Sequence, residues 1–225
     1  MYRIRLQYTK SKEATWISHL DLMRVFERAL KRANINVKHS EGFNPRPELV
    51  FAHPLSVGIE SDCELCEILL NEFYEEAVIV KMLNSTLPSG IAVLSAKYVD
   101  LKVKSLMSQV FCANYEITFE IPESCRKNAT PKEIVKLNAE IKTNFDKFYN
   151  QEKILVTKKG KKGDSIIDIK PLILKKEFLG DSKYDFKVRA GSEKNLKPEL
   201  IVKAFEEYIG GEIPYNIKRT KITLA

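Results

Sequence analysis

The chain has 225 residues, 44% hydrophobic and 30% charged, with a formal net charge of +7. The length is long for one small domain and comfortable for two of about a hundred residues each, and the composition excludes a disordered chain. No apolar run reaches the ~20 residues that cross a bilayer, and the N-terminus alternates like a strand where a signal peptide would carry an apolar core. The expectation is a cytoplasmic protein, with no membrane contact, whose four cysteines stay reduced.

The charge is uneven. Residues 1–105 hold 14 Lys and Arg against 13 Asp and Glu, whereas residues 106–225 hold 23 against 17. A basic second half is expected of a protein that meets a polyanion such as RNA.

Tyr2, Ile4, Leu6 and Tyr8 alternate along the first ten residues, a half-buried strand by its period of two. Ser18 with Asp21 three residues on resembles a capping box and opens a helix to about Ala33. Leu22, Phe26, Ala29, Leu30 and Ala33 form the helix's apolar stripe, while Arg24, Arg28, Lys31 and Arg32 share another face. Asn34 reads as its stop, and Ile35–His39 as a short strand. The segment Ser40–Pro47, SEGFNPRP, must be a loop, because Gly42 permits positive φ and two prolines remove donors. Leu49–Ala52 and Cys63–Leu70 read as strands, Tyr74–Leu87 as an amphipathic helix and Ile91–Val99 as a strand. The order β-α-β-β-α-β is that of a ferredoxin-like domain with an antiparallel sheet.

After a junction at Asp100–Ser108 a second cycle begins. Asn114–Ile121 alternates as a strand, and Thr130-Pro131 caps a helix of roughly twenty residues. Ile154–Lys158 and Ile166–Leu174 bracket the basic turn KKGKKGD as a hairpin. Tyr184–Ala190 reads as a strand, Lys197-Pro198 opens a helix that Gly210-Gly211 ends, and Tyr215–Leu224 closes the chain as a strand. The expected architecture is α+β: two tandem ferredoxin-like domains, residues 1–104 and 109–225, with antiparallel sheets.

The candidate site lies in the first domain. His19 falls in the first helical turn, where the macrodipole favours its neutral ring and would suit a general base. Asp21 caps the helix. Arg24 and Arg28, if both face the SEGFNPRP loop, form a guanidinium pair suited to phosphate or carboxylate. Ser40, Asn44 and Arg46 add polar groups on a backbone stiffened by Pro45 and Pro47, and Phe43 either stacks on a base or, as expected here, anchors the loop in the core. In the second domain, Lys158, Lys159, Lys161 and Lys162 at the hairpin tip, with Arg189 and Arg219 on strands, are candidate contacts for an RNA backbone. Cys63 and Cys66 have CxxC spacing, but on a strand that spacing sends the two sulfurs to opposite faces, so no metal site is expected.

SHLDLMRVFERALKRA, SEGFNPRP and PLSVGIES together resemble the bacterial radical-SAM-linked proteins, a domain of unknown function. Its members are fused to, or encoded beside, a B12-binding-type radical S-adenosylmethionine enzyme. The resemblance spans nearly the whole chain and includes Ser18, His19, Asp21, Arg24, Arg28, Ser40, Gly42, Phe43, Asn44, Pro45 and Pro47. It implies a radical SAM partner that supplies the S-adenosylmethionine and the iron–sulfur cluster, this chain binding neither. The functional expectation is a non-catalytic accessory that presents RNA, ribosomal or transfer, to that enzyme. The alternatives are a metal-free RNA-cleaving or RNA-modifying enzyme using His19 and the arginines, and a protein–protein adaptor for the radical SAM partner.

Overall fold

The computed structural model of the chain describes residues 1–127, 129–158 and 163–225, the side chain of Lys158 apart. It is a mixed α+β protein with a mostly antiparallel pairing of strands and six α-helices among the described residues. The chain divides into two compact units, residues 1–111 with 219–225, and residues 112–218. The last seven residues therefore return to the first unit, a departure from the expected second domain of residues 109–225.

In the first unit, β1 (Tyr2–Lys10) leads to α1 (His19–Arg32), β2 (Leu49–Phe51), β3 (Glu60–Leu70), α2 (Glu76–Asn84), β4 (Ile91–Val99) and the short α3 (Leu106–Gln109). β1 pairs antiparallel with β4 on one side and β3 on the other, and β2 pairs antiparallel with β3. The strand order is thus β4-β1-β3-β2. Period-two alternation turns Ile4, Leu6 and Tyr8 to one face, where Leu22, Phe26, Ala29 and Leu30 of α1 and Ile79 and Leu83 of α2 bury them. Each such side chain contributes about 1.5–3 kcal/mol on burial. Tyr8, Phe26 and Phe51 meet edge to face at 5.0–6.2 Å at the centre of this core.

The expected strand at Ile35–His39 is extended chain with two isolated bridges, Val37 to Leu70 and His39 to Pro47. Asn34 ends α1 as expected, taking a left-handed φ of 53° that asparagine tolerates. The helix expected over Tyr74–Leu87 is shorter, because the Tyr74 amide and carbonyl are both bonded to the Tyr98 hydroxyl at its entry.

The chain continues through β5 (Val110–Phe119), α4 (Glu123–Arg126), α5 (Pro131–Tyr149), β6 (Leu155–Lys158), β7 (Ser165–Asp168), β8 (Ile173–Gly180), β9 (Lys183–Arg189), α6 (Glu199–Ile209) and β10 (Tyr215–Leu224), of which residues 112–218 make the second unit and the first two residues of β5 and those of β10 from Arg219 on belong to the first. β5 pairs antiparallel with β9, and β9 with β8; β10 lies on the other side of β5, an order β10-β5-β9-β8. β6 and β7 form a separate two-stranded hairpin. Thr130 and Glu133 complete a full capping box on α5, the threonine amide donating to the carboxylate at 2.7 Å. Phe119, Phe145, Phe148, Tyr184, Phe186 and Phe205 make an aromatic core between strands and helices, with ring centroids as near as 4.5 Å.

The strand expected over Ile166–Leu174 is two strands. Asp168 accepts hydrogen bonds from the Ile154 and Lys170 amides, both at 3.0 Å, and Pro171 follows in a short 3-10 turn, so the pairing breaks there. β8 then starts afresh and turns into β9 through Asp181 and Ser182, both at positive φ.

Candidate functional site

Ser18 caps α1: its Oγ accepts from the Asp21 amide at 3.2 Å while its hydroxyl donates to the Asp21 carboxylate at 2.7 Å. The Ser18 hydroxyl first, then Arg24, holds the Asp21 carboxyl below its ordinary range. Arg24 donates to Asp21 at 2.9 Å, with both side chains more than half exposed. Arg24 is therefore engaged at the N-terminal end of the helix, which corrects the expectation that it pairs with Arg28 toward the loop. Residues three apart share a helix face, and Asp21 sits within that reach.

One turn on, Arg28 lines a groove of about 460 Å³ together with Glu27, Lys31 and Asn34 of the helix end and His39 and Pro47 of the loop base. Ile35 and Val37 supply apolar lining. The His39 Nδ1 lies 3.1 Å from the Val37 carbonyl. A carbonyl only accepts, so a hydrogen bond here needs the proton on Nδ1, which in a neutral ring leaves Nε2 as the acceptor. Sequence reading missed His39 because the resemblance does not include it. Its signal was positional: it stands at the mouth of the proline loop, one bridge from Pro47.

Above this groove the loop forms a tongue with a closed neck. Ser40 N–H donates to the Arg46 carbonyl at 2.8 Å, and Arg46 N–H donates to Ser40 Oγ at 3.1 Å. Below the neck, Lys38 pairs with Glu48 at 2.9 Å, and the Glu48 amide donates to the Lys38 carbonyl. Gly42, at φ 128°, turns the tip with a conformation that other residues rarely adopt. Ser40, Asn44 and Arg46 are exposed along the tongue. Phe43 at the tip is fully exposed, 106% of its reference area, so it does not anchor the loop in the core as expected. A loop of eight residues, Ser40–Pro47, closed at its neck and stiffened by two prolines, cannot fold its tip back onto the sheet.

His19 lies half-buried with its ring edge-on to Phe51 at 5.4 Å, apart from the groove lining. Burial depresses its pKa, Glu64 opposes and Lys10 assists. The direction is the one expected, but the leading cause is packing rather than the helix dipole. Beneath it the first unit holds buried charges: Lys10 donates to the Ile17 carbonyl at 2.8 Å, and Arg219 to Glu64 at 2.9 Å. Arg219 is 1% exposed. It is thus not an RNA contact, since its guanidinium is spent inside the first unit.

Arg189 on β9 stands opposite Cys112 and is half-buried. Lys159, Lys161 and Lys162, with the Lys158 side chain, lie outside the described residues. Cys63 and Cys66 are buried; desolvation and the Glu64 charge push the Cys63 thiol up to about 11 and the Cys66 thiol further. Among the described residues no three His, Cys, Asp or Glu side chains converge to hold a metal ion, and no helix is long and apolar enough to cross a membrane.

Over residues 3–198 the chain matches the family described as an uncharacterized protein conserved in bacteria (DUF2344), and it belongs to that family. The match links it to no radical SAM enzyme. No curated protein matches the chain. It is similar over its full length to the crystal structure of an unknown protein from Galdieria sulphuraria, at 15% identity and a TM-score of 0.26, covering 98% of that chain. A candidate glycine cleavage system transcriptional repressor matches at 6% identity and a TM-score of 0.24, over 97% of this chain and 98% of that one.

Proposed function

We propose that this member of the family is a non-catalytic RNA-binding accessory, built from two ferredoxin-like units, that serves a radical SAM enzyme. The strand orders β4-β1-β3-β2 and β10-β5-β9-β8, each with two long helices between strands, support the architectural part. The radical SAM partner, with its S-adenosylmethionine and iron–sulfur cluster, rests on the sequence resemblance alone.

The observation that carries the binding reading is Phe43. A phenyl ring wholly in water gives up about 1.5–3 kcal/mol relative to burial, yet the neck hydrogen bonds and Gly42 hold it at the tip. An exposed aromatic on the same loop as Arg46 suits stacking on an unpaired base, and Arg28 and Lys31 in the groove at the loop's base could take its phosphate. Fluorescence anisotropy of the purified chain with total transfer RNA, at graded salt, tests this. Affinity should fall steeply with salt, and Phe43→Ala should weaken binding by about 5- to 150-fold, the value of one base stack. An absence of binding at low salt, or a Phe43→Ala protein that binds like wild type, overturns the reading.

A further inference from the structure

The groove at the tongue's base has a composition that the stacking role of Phe43 does not use. It joins two cationic side chains, Arg28 and Lys31, to a carboxylate, Glu27, and to a histidine whose Nε2 is left as an acceptor. Its apolar lining from Ile35 and Pro47 suits a flat ring rather than a solvated ion. At about 460 Å³ it lies in the lower part of the ~300–1,000 Å³ range of small-ligand sites, room for one nucleotide and not a stacked pair.

The donor and acceptor inventory then discriminates among bases. The side-chain acceptors facing a base would be the Glu27 carboxylate and, in the neutral ring, His39 Nε2. Guanine alone carries adjacent N1–H and N2–H₂ donors on one edge, the pair that a carboxylate takes in bidentate fashion. Adenine and cytosine each offer one amino group there, and uracil one imide N–H. A base with a single donor would leave acceptors desolvated and unpaired, a larger loss than a missing attraction.

We infer that this groove seats one unstacked guanosine nucleotide of the bound RNA, with Glu27 and His39 on the base edge and Arg28 and Lys31 on the phosphate. The inference rests on the RNA-binding reading and gives it a sequence preference. The Lys31 and Arg28 cations also make the seat phosphate-dependent, which separates a nucleotide from a free base.

Calorimetric titration of the full chain with 5′-GMP, 5′-AMP, 5′-UMP and guanosine, at pH 8 where an ordinary imidazole is neutral, tests it. GMP should bind at least about tenfold tighter than AMP or UMP, and tighter than guanosine by a similar factor, each factor being the worth of one good polar interaction. Glu27→Gln should bring GMP down to the level of AMP, while Arg28→Ala should weaken both nucleotides alike. Equal binding of the three nucleotides, no binding of any, or displacement of GMP by a glutamate-rich peptide would each overturn it. Transfer RNA binding that depends on Phe43 but shows no nucleotide preference would sink the guanosine seat and leave the RNA reading standing. GMP binding without RNA binding would sink the RNA reading instead.

Discussion

Arg219 donates from Nη1 to both carboxylate oxygens of Glu64, at 2.9 and 3.0 Å, across 155 positions of sequence. Its Nη1 and Nη2 also reach the carbonyls of His53 and Pro54 at 3.1 and 3.2 Å. Neither side chain is more than 4% exposed. Removing one partner leaves the other charged in a dry site, which costs about 3–5 kcal/mol, whereas replacing both by apolar residues is often neutral. Arg219→Met should therefore lower the urea midpoint sharply, and Glu64→Leu combined with Arg219→Met should recover most of the loss. A single variant with an unchanged midpoint would show that the pair is not closed in solution.

Gly90 is held for a different reason than Gly42. At φ 86° its Cβ would stand 2.3 Å from the Ser11 carbonyl oxygen and 2.9 Å from the Ala14 methyl, while its own carbonyl accepts from Ser11 N–H. A left-handed alanine costs about 1–2 kcal/mol and overpacking adds about 1–3 more, so Gly90→Ala should destabilise by ~3 kcal/mol or beyond. Gly42→Ala meets open space and should cost only the backbone strain. Denaturation of the two variants side by side decides it; equal midpoints would refute the steric account.

What the sequence disclosed was local. The Ser18 cap, the stripe of Leu22, Phe26, Ala29 and Leu30, and the Thr130 capping box were legible because each is set by residues within a turn or two. The ends of β4 and β10 were legible from alternation. The buried ion pair was not read, although its trace is there. Glu64 shares the parity of Cys66, Ile68 and Leu70, and Arg219 that of Ile217, so two opposite charges stood at inward positions of two strands. A charge on one strand says nothing of its partner until the strands are brought together. Phe43 failed in the opposite way, an apolar residue credited to the core although a short proline neck kept it from reaching any. β8 was missed because it is largely exposed, breaks register with β9 near both ends and so carries no alternation to read.

Tyr184 is fully buried among Phe119, Phe145, Phe178 and Phe186, and its hydroxyl has no hydrogen-bond partner among the described residues. Burial, then the charge of Asp146, drives its phenol far above the ordinary value, so it stays protonated. An unmatched buried hydroxyl costs about 1–3 kcal/mol, whereas phenylalanine keeps the ring and drops the polar atom. Tyr184→Phe should leave the thermal midpoint unchanged or raise it by a few degrees. A clear fall in the midpoint would mean that the hydroxyl is bonded in solution.

His19 gives the first unit a pH dependence whose sign follows from its surroundings. Burial against Phe51 depresses its pKa below the ordinary 6.5, Lys10 acts the same way, and Glu64 opposes both. The unfolded chain, with its imidazole near 6.5, therefore takes up the proton before the folded one does. Above pH 6.5 the group contributes its full share to stability. As pH falls through 6.5 toward the lower folded value that share is lost, and below it the loss is complete and constant. His39 and His53 are common to wild type and a His19→Gln variant, so comparing the two isolates this group. The gap in thermal midpoint between wild type and variant should shift against wild type from pH 7.5 to pH 5. Midpoints that move in parallel over that range would show that the ring is solvated rather than packed on Phe51.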